Sequence, residues 1–410
     1  MAISRMAAQC CIAGGGPAGM MLGFLLARAG LQVAVLEKHA DFLRDFRGDT
    51  IHPSTLELMY ELGLLDEFLK LPHQQVRRLT GQVGRFEVVI ADFSHLPTRC
   101  KFIAFMPQWD FLNFLAAQAA RYSGFTLRVR TEATDLIEES GRVVGVRAAD
   151  PKGPLEVRAP LVVGADGRGS IVRERAGLRV RELGAPMDVL WFRLSRRVSD
   201  PTETMGRFDV GRIFIGINRG EHWQCGYVIP KGSLEEIRGR GLDAFRASVV
   251  TLAPYLADRV AELSGWDDVK LLTVQVDRLD RWHRPGLLCI GDAAHAMSPV
   301  GGVGINLAVQ DAVATANLLA EPLRAGRLTA EHLHRVQRRR ELPTRLTQKF
   351  QVLIQNRVIS RVFGTSAELR PPSVLRLLTS FPLLRRIPAR LIGLGVRPEH
   401  VRSPSAGQSR

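Results

Sequence analysis

Six residues near the start, Gly14-Gly15-Gly16-Pro17-Ala18-Gly19, constrain this chain more than any other stretch. They follow a short apolar run, Cys10–Ala13, and open a segment, Pro17–Ala29, with helical apolar content; Gly30 is a helix stop and Gln32–Leu36 a second apolar run. In a G-x-G-x-x-G turn between strand and helix, Gly14 permits the tight turn and Gly16 lets the backbone approach a pyrophosphate. Gly19 allows close packing of helix on strand, and the helix N-terminus faces the negative charge. Glu37 ends the second strand, where a carboxylate can accept hydrogen bonds from a ribose diol. A carboxylate there disfavours a 2′-phosphate, so FAD or NAD is expected at this turn rather than NADP. A glycine turn with a purely structural duty is the alternative.

Two later turns repeat the pattern of apolar strand, glycine-rich turn and helix start. Val163-Gly164-Ala165-Asp166-Gly167-Arg168-Gly169-Ser170 is the first, and taken alone such a turn is as compatible with a structural role as with binding. The second is Leu288-Cys289-Ile290-Gly291-Asp292-Ala293-Ala294-His295, continuing through Pro299-Val300-Gly301-Gly302-Val303-Gly304-Ile305-Asn306 into a helix bearing Asp311. Asp292 at a strand end can take hydroxyl hydrogen bonds. The glycine run leaves amides bare at a helix N-terminus, where negative charge on a ring oxygen or nitrogen is stabilised.

Together and in this order, the three turns resemble the flavoprotein monooxygenase family that includes para-hydroxybenzoate hydroxylase, the ubiquinone-biosynthesis hydroxylases and the tetracycline-modifying hydroxylases. The resemblance spans roughly residues 9–345. It implies that Gly14, Gly16, Pro17, Ala18 and Gly19, with Glu37 and Lys38, hold the ADP half of FAD. Asp166 and Gly167 look like the motif associated with both FAD and the nicotinamide cofactor, and Asp292 matches the aspartate that binds the ribitol chain. Pro299, Gly304, Ile305 and Asn306 look like the loop beside the isoalloxazine ring. Arg47 is similar to an arginine contacting the cofactor near the mobile flavin, Gln108 to a residue reaching the ribityl chain or ring, and Ala133 to a backbone contact of the adenine. Surface or capping duties are the alternatives for Arg47 and Gln108.

In such proteins NADH or NADPH reduces the flavin, dioxygen adds at its C4a carbon, and one oxygen atom passes to an electron-rich carbon of an aromatic or quinone-like substrate. Because the cofactor carries this chemistry, no Ser–His–Asp or paired-carboxylate constellation is required, and none is visible. His52 and Asp49 are candidates for a general base, with loop or cap roles as the alternative. Two enzymatic or functional rivals share the same turns: an FAD-dependent reductase of polyprenyl or other unsaturated lipids, and an FAD-holding protein without turnover. Cys225-Gly226-Tyr227-Val228-Ile229-Pro230 has the frame of the halogenase W-x-W-x-I-P segment without either tryptophan, which argues against halogenation.

The expected fold is α/β: a discontinuous Rossmann-like FAD-binding domain (1–75, 100–182 and 272–345) with an inserted antiparallel β-rich substrate domain (76–99 and 183–271) and a basic helical C-terminal segment (346–410). Short β-branched and aromatic runs, Val189–Leu194, Arg212–Ile217 and Trp223–Ile229, mark the inserted sheet, and Trp191, Phe192, Phe214, Trp223 and Tyr227 would suit a broad apolar pocket there, core packing being the commoner alternative for each. With 410 residues and 46% hydrophobic content the chain can bury a sizeable core. Met1–Ala8 is too short to be a signal peptide ahead of the first strand, so a cytoplasmic protein is expected. Five scattered cysteines give neither a disulfide framework nor a C-x-x-C pair, and no Cys/His spacing suits a metal. Residues 321–410 hold 17 Arg and one Lys against five Glu, so most of the formal charge of +15 lies there. No recognition motif for nucleic acid accompanies that charge. Interleaved with apolar residues over Leu375–Leu394, it admits peripheral contact with an anionic membrane, the alternative being a basic solvated face.

Overall fold

The structure is a computed structural model in which residues 3–43, 50–364 and 369–406 are described. Arg47 and Asp49 lie outside the described residues. The central element is a six-stranded sheet in the order His283–Arg284, Leu287–Cys289, Leu161–Gly164, Cys10–Ala13, Val33–Leu36, Phe125–Arg128, parallel except for its first strand. The runs CCIA, VAVL and LVVG are apolar at every position, because both faces of a parallel sheet are covered. Helix Pro17–Arg28 is buried on all sides from Ala18 to Ala27, which matches its uniformly apolar sequence. It lies against the sheet and against helices Gln108–Ala119 and Gly304–Arg324.

Beside this core stands a four-stranded sheet, Ser4–Ala7, Gly153–Arg158, Arg142–Asp150 and Glu132–Glu139. Ser4–Ala7, in the stretch expected to precede all structure, is thus itself a strand, pairing in parallel with Gly153–Arg158. Its sequence SRMA is largely exposed and has no apolar run to signal it.

A seven-stranded sheet runs in the order Lys270–Leu272, Met187–Ser195, His222–Pro230, Arg212–Asn218, Met205–Asp209, Arg78–Val83, Phe86–Asp92. The three aromatic runs are neighbours in it, and the hairpin from residues 78–92 joins through a parallel pairing of Gly206–Phe208 with Gly81–Val83. Strand alternation then separates the five aromatics, four of them into core packing. Phe192, Phe214, Trp223 and Tyr227 pack behind the sheet with Phe245, Val249 and Leu252 of helix Leu242–Leu252. Only Trp191 of the five belongs to the opposite face, with Val189, Ile213, Ile217 and Val228. Behind the sheet, Asp200 accepts from Trp223 Nε1 and Arg259 Nη2, both at 2.9 Å, so the buried charge is paired.

The C-terminal segment carries helices, and it is more than a solvated tail. Ala330–Ile354 forms a long helix ending in a π turn at Gln355–Ile359, and Ser373–Ser380 and Arg386–Gly393 are short helices. The chain then returns to the core: Ala406 N donates to Arg28 O, Arg28 Nη1 to Ser403 O, and the half-buried Arg339 pairs with buried Glu399 at 2.7 Å.

Candidate active site

The strands carrying the three turns end at one level. Ala13 is paired with both Gly164 and Leu36, Gly164 with Cys289, and Leu36 with Arg128, so their loops leave the same sheet edge. Ligands of open α/β sheets bind at such carboxyl ends. The loops also touch. Gly14 has φ +104°, and a Cβ there would sit 2.3 Å from Ala165 O, so only glycine lets the first turn meet the second. A Cβ on Gly291 would lie 3.0 Å from the Ala18 side chain, which brings the third turn onto the first helix. Arg168 Nε donates to Asp292 Oδ2 at 3.2 Å, tying the second turn to the third.

At the nucleotide end, Glu37 is buried; its carboxylate accepts from Gly15 N and His39 N, each at 3.0 Å. Lys38 points outward and pairs loosely with Glu132 at 3.9 Å, the neighbour of half-buried Ala133. Asp166 is occupied locally: it accepts from Ser170 Oγ at 2.5 Å and Val172 N at 3.2 Å, capping helix Ile171–Arg175, and burial pushes its carboxyl up despite these bonds. Cβ atoms built at Gly16, Gly167 and Gly169 would meet nothing within 4 Å. The wall of the cleft is therefore bare backbone beside a helix N-terminus, with Glu37 and partly exposed Asp292 flanking it. That donor set fits a dinucleotide: amides for phosphate, carboxylates for hydroxyls.

The other end is held by side chains. Pro299 leads into a turn with Gly301 at φ +82°, and Thr50 Oγ1 donates to Gly302 O at 2.8 Å. Helix Gly304–Arg324 then begins, with Ile305 in the core. Asn306 Oδ1 accepts from His52 N at 3.0 Å and Thr55 Oγ1 at 2.7 Å, binding the 50–55 segment to this helix. Three buried glutamines of the long C-terminal helix and its π turn grip the loop. Gln348 Nε2 donates to Asp277 O and Ala296 O, Gln351 Nε2 to Ser298 O and Val300 O, and Gln355 Nε2 to Ser298 Oγ. Below it, Asp311 accepts from Gly291 N at 3.1 Å, His295 Nε2 at 2.6 Å and Arg340 Nε at 2.9 Å. Burial alone would raise the Asp311 carboxyl, but His295 and Arg340 outweigh it and hold it below the ordinary range.

Arg168 lies within the second glycine-rich turn, but none of Gln348, Gln351, Gln355 or Arg340 was indicated by the sequence. The available signal was glutamine and arginine at positions sharing one face of an otherwise polar helix. His52 is not in place to act as a general base. It is fully buried, its Nδ1 donates to Ile392 O at 2.7 Å, and burial pushes its pKa down to about 4. Gln108 opens helix Gln108–Ala119 as a half-buried residue. Two positions along, burial raises the Asp110 carboxyl while Arg219, from the turn between strands Arg212–Asn218 and His222–Pro230, draws it back. Val300 of the loop packs against the same buried cluster that includes Trp191.

Residues 7–349 match the family described as FAD binding domain. The chain belongs to the FAD-dependent aromatic hydroxylase family. It is 33% identical over 398 residues to a 6-methylpretetramide 4-monooxygenase of Streptomyces rimosus, covering 96% of this chain and 94% of that one. A rifampicin monooxygenase of Streptomyces venezuelae is 29% identical over 316 residues, 73% of this chain and 61% of the relative. Among solved structures, the anhydrotetracycline hydroxylase OxyS of Streptomyces rimosus superposes with a TM-score of 0.73 at 27% identity, covering 98% of this chain and 78% of OxyS. This FAD-dependent hydroxylase is an oxidoreductase of the monooxygenase type, a class that typically draws electrons from NAD(P)H.

Proposed function

We propose that this hydroxylase inserts one oxygen atom of O2 into a fused-ring aromatic polyketide, with NADH or NADPH as electron donor. The observation that carries the reading is the apolar cluster that the 299–302 loop joins: Val300 packs against the buried cluster to which Trp191, Ile213, Ile217 and Val228 belong. A Cβ on Gly226 would lie 3.0 Å from the Trp191 ring, so the bare glycine lets the indole lie flat along the sheet. A flat, apolar wall suits a polycyclic ring system better than a small charged one. The names of the relatives, which act on pretetramide, tetracycline and rifamycin compounds, point to the same substrate class.

In this reading Gly14, Gly16 and Gly19 with Glu37 bind the ADP half of FAD, Asp292 binds the ribitol, and the 299–306 loop borders the ring. Bound FAD supplies hydride acceptance and oxygen activation. The chain's own part is positional. The helix dipole at Pro17 and the amides of the first turn fix the pyrophosphate, the glutamine-held loop fixes the ring plane, and the sheet face excludes water from the reacting side. The division into a nucleotide-binding part (1–75, 100–182, 272–345), a substrate part (76–99, 183–271) and a C-terminal segment (346–410) belongs to the same proposal.

Purified protein tests it. NAD(P)H oxidation should consume oxygen, rise with a polycyclic aromatic ligand and give product labelled from dioxygen. Saturation of a double bond without oxygen uptake would instead identify a reductase, and bound FAD with neither activity a non-catalytic flavoprotein.

A further inference from the structure

Helices Ser373–Ser380 and Arg386–Gly393, joined by the turn Pro382–Arg385, lie side by side on strand Phe86–Asp92. Their inner residues, Leu375, Ala389 and Ile392, pack into the cluster that includes Phe93 and Leu96. Their outer face is the reverse of a solvated one. Val374, Leu377, Phe381, Leu383, Ile387 and Leu391 are between 39% and 67% exposed. Beside them on the long helix, Leu342, Leu346, Phe350 and Leu353 form an exposed stripe at helical spacing. The two surfaces adjoin, since Pro343 and Thr347 line one small cavity with Leu391 and Leu394. Among the described residues, ten of the seventeen exposed large apolar side chains lie in this region, a concentration that marks a docking face rather than scattered surface hydrophobics.

The charge around this face selects the occupant. Residues 369–398 contain Arg370, Arg376, Arg385, Arg386, Arg390 and Arg397 and no Asp or Glu. Among the described residues, no ion pair includes Arg376, Arg385, Arg386 or Arg390. A two-fold contact with a second copy would bring these arginines against their own images, with no carboxylate within residues 369–398 to offset them. We infer that the face formed by residues 373–391 docks on an anionic phospholipid surface, its apolar side chains entering the headgroup–acyl boundary and its arginines meeting lipid phosphates. This inference does not rest on the flavin reading.

Co-sedimentation of the FAD-loaded full chain with vesicles tests it. The chain should pellet with phosphatidylcholine–phosphatidylglycerol vesicles and not with phosphatidylcholine alone, and added salt should weaken the anionic binding. A Phe381→Glu/Ile387→Glu double variant should lose vesicle affinity at least about tenfold, from lost apolar burial and added repulsion. Its FAD content and NAD(P)H oxidation in solution should stay unchanged. Failure of the wild type to bind anionic vesicles, or equal binding by the variant, would overturn the inference. So would light scattering that shows a wild-type dimer converted to monomer by the double substitution, since a second copy would then cover the face.

Discussion

The two ends of the proposed cofactor site are built by different means. The nucleotide end, from Gly14 to Glu37, is a strand, a turn, a helix and a strand, contiguous in sequence and fixed by backbone pairing in which Ala13 meets both Gly164 and Leu36. The ring end, residues 291–306, has little regular structure and is held by side chains from distant segments: Thr50, Arg168, Arg340 and the glutamines at 348, 351 and 355. Secondary structure fixes geometry where phosphate must be met by amides. Side chains fix it where a loop must present its backbone to a ring and still satisfy its own buried carbonyls.

The largest effect separating the two ends should come from Asp311. Replacing it with alanine leaves His295 and Gly291 N buried without that acceptor and Arg340 with Glu399 as its remaining carboxylate, at 3.3 Å, so stability should fall by roughly 3 kcal/mol in denaturant unfolding. A loss under about 1 kcal/mol would show that the network is not what holds the Gly291 turn. At the nucleotide end, Gly14→Val adds positive-φ strain and a backbone clash of order 1–3 kcal/mol each, so FAD should bind at least about 100-fold more weakly. Near-normal affinity there would mean that the first turn carries no phosphate.

The pH dependence tests the ring end again. His52 is held at about 4 against an ordinary 6.5, so the unfolded chain takes up its proton first as pH falls. Stability complete above pH 6.5 is then lost as pH falls towards 4, by roughly 3 kcal/mol from this residue. His52→Gln should flatten that slope; an unaltered slope in the variant would remove His52 from the account of acid lability. Asp311 acts lower on the scale: its depressed carboxyl supports the fold above its ordinary value of 3.8 and loses that support as pH drops further.

Gln351→Ala should cost less, about 1–3 kcal/mol, because it strands the carbonyls of Ser298 and Val300. Its sharper signature is local: amides of residues 298–302 should exchange roughly tenfold faster while ADP affinity stays unchanged. Equal loosening at residues 14–19 would erase the distinction between the two ends. Smallest in stability is Gly226→Ala, whose Cβ would press on the Trp191 ring at 3.0 Å. A polycyclic ligand should show a raised KM with little change in FAD content, and an unchanged KM would remove that sheet face from the substrate wall.

The same contrast decides what could be read from the sequence. The Gly14–Glu37 unit was legible because its determinants are local and periodic, and the later turns were legible as strand–turn starts for the same reason. The aromatic strands were also visible, yet not their facing. Trp191 and Phe192 are adjacent and equally apolar, and only the register with Gly226 and Cys225 puts one towards the loop and the other behind the sheet. The ring-end supports could not be found, since Gln351 and Ser298 are far apart in sequence and a glutamine on a polar helix looks solvated until the helix packs. His52 could be read either as a candidate base or as a cap residue; it stands at the N-cap of helix Pro53–Glu61, and the partner that fixes its ring, Ile392 O, comes from the far end of the chain.

Calorimetric titration of the flavin-free chain with FAD and with ADP, on wild type, Glu37→Ala and Asp292→Ala, tests most directly whether the loops at 14–19, 164–170 and 291–306 serve one extended dinucleotide. The expected result is one FAD per chain, with both ligands weakened in Glu37→Ala and FAD but not ADP weakened in Asp292→Ala. A chain that takes up no flavin, or an Asp292→Ala variant with unchanged FAD affinity, would contradict it.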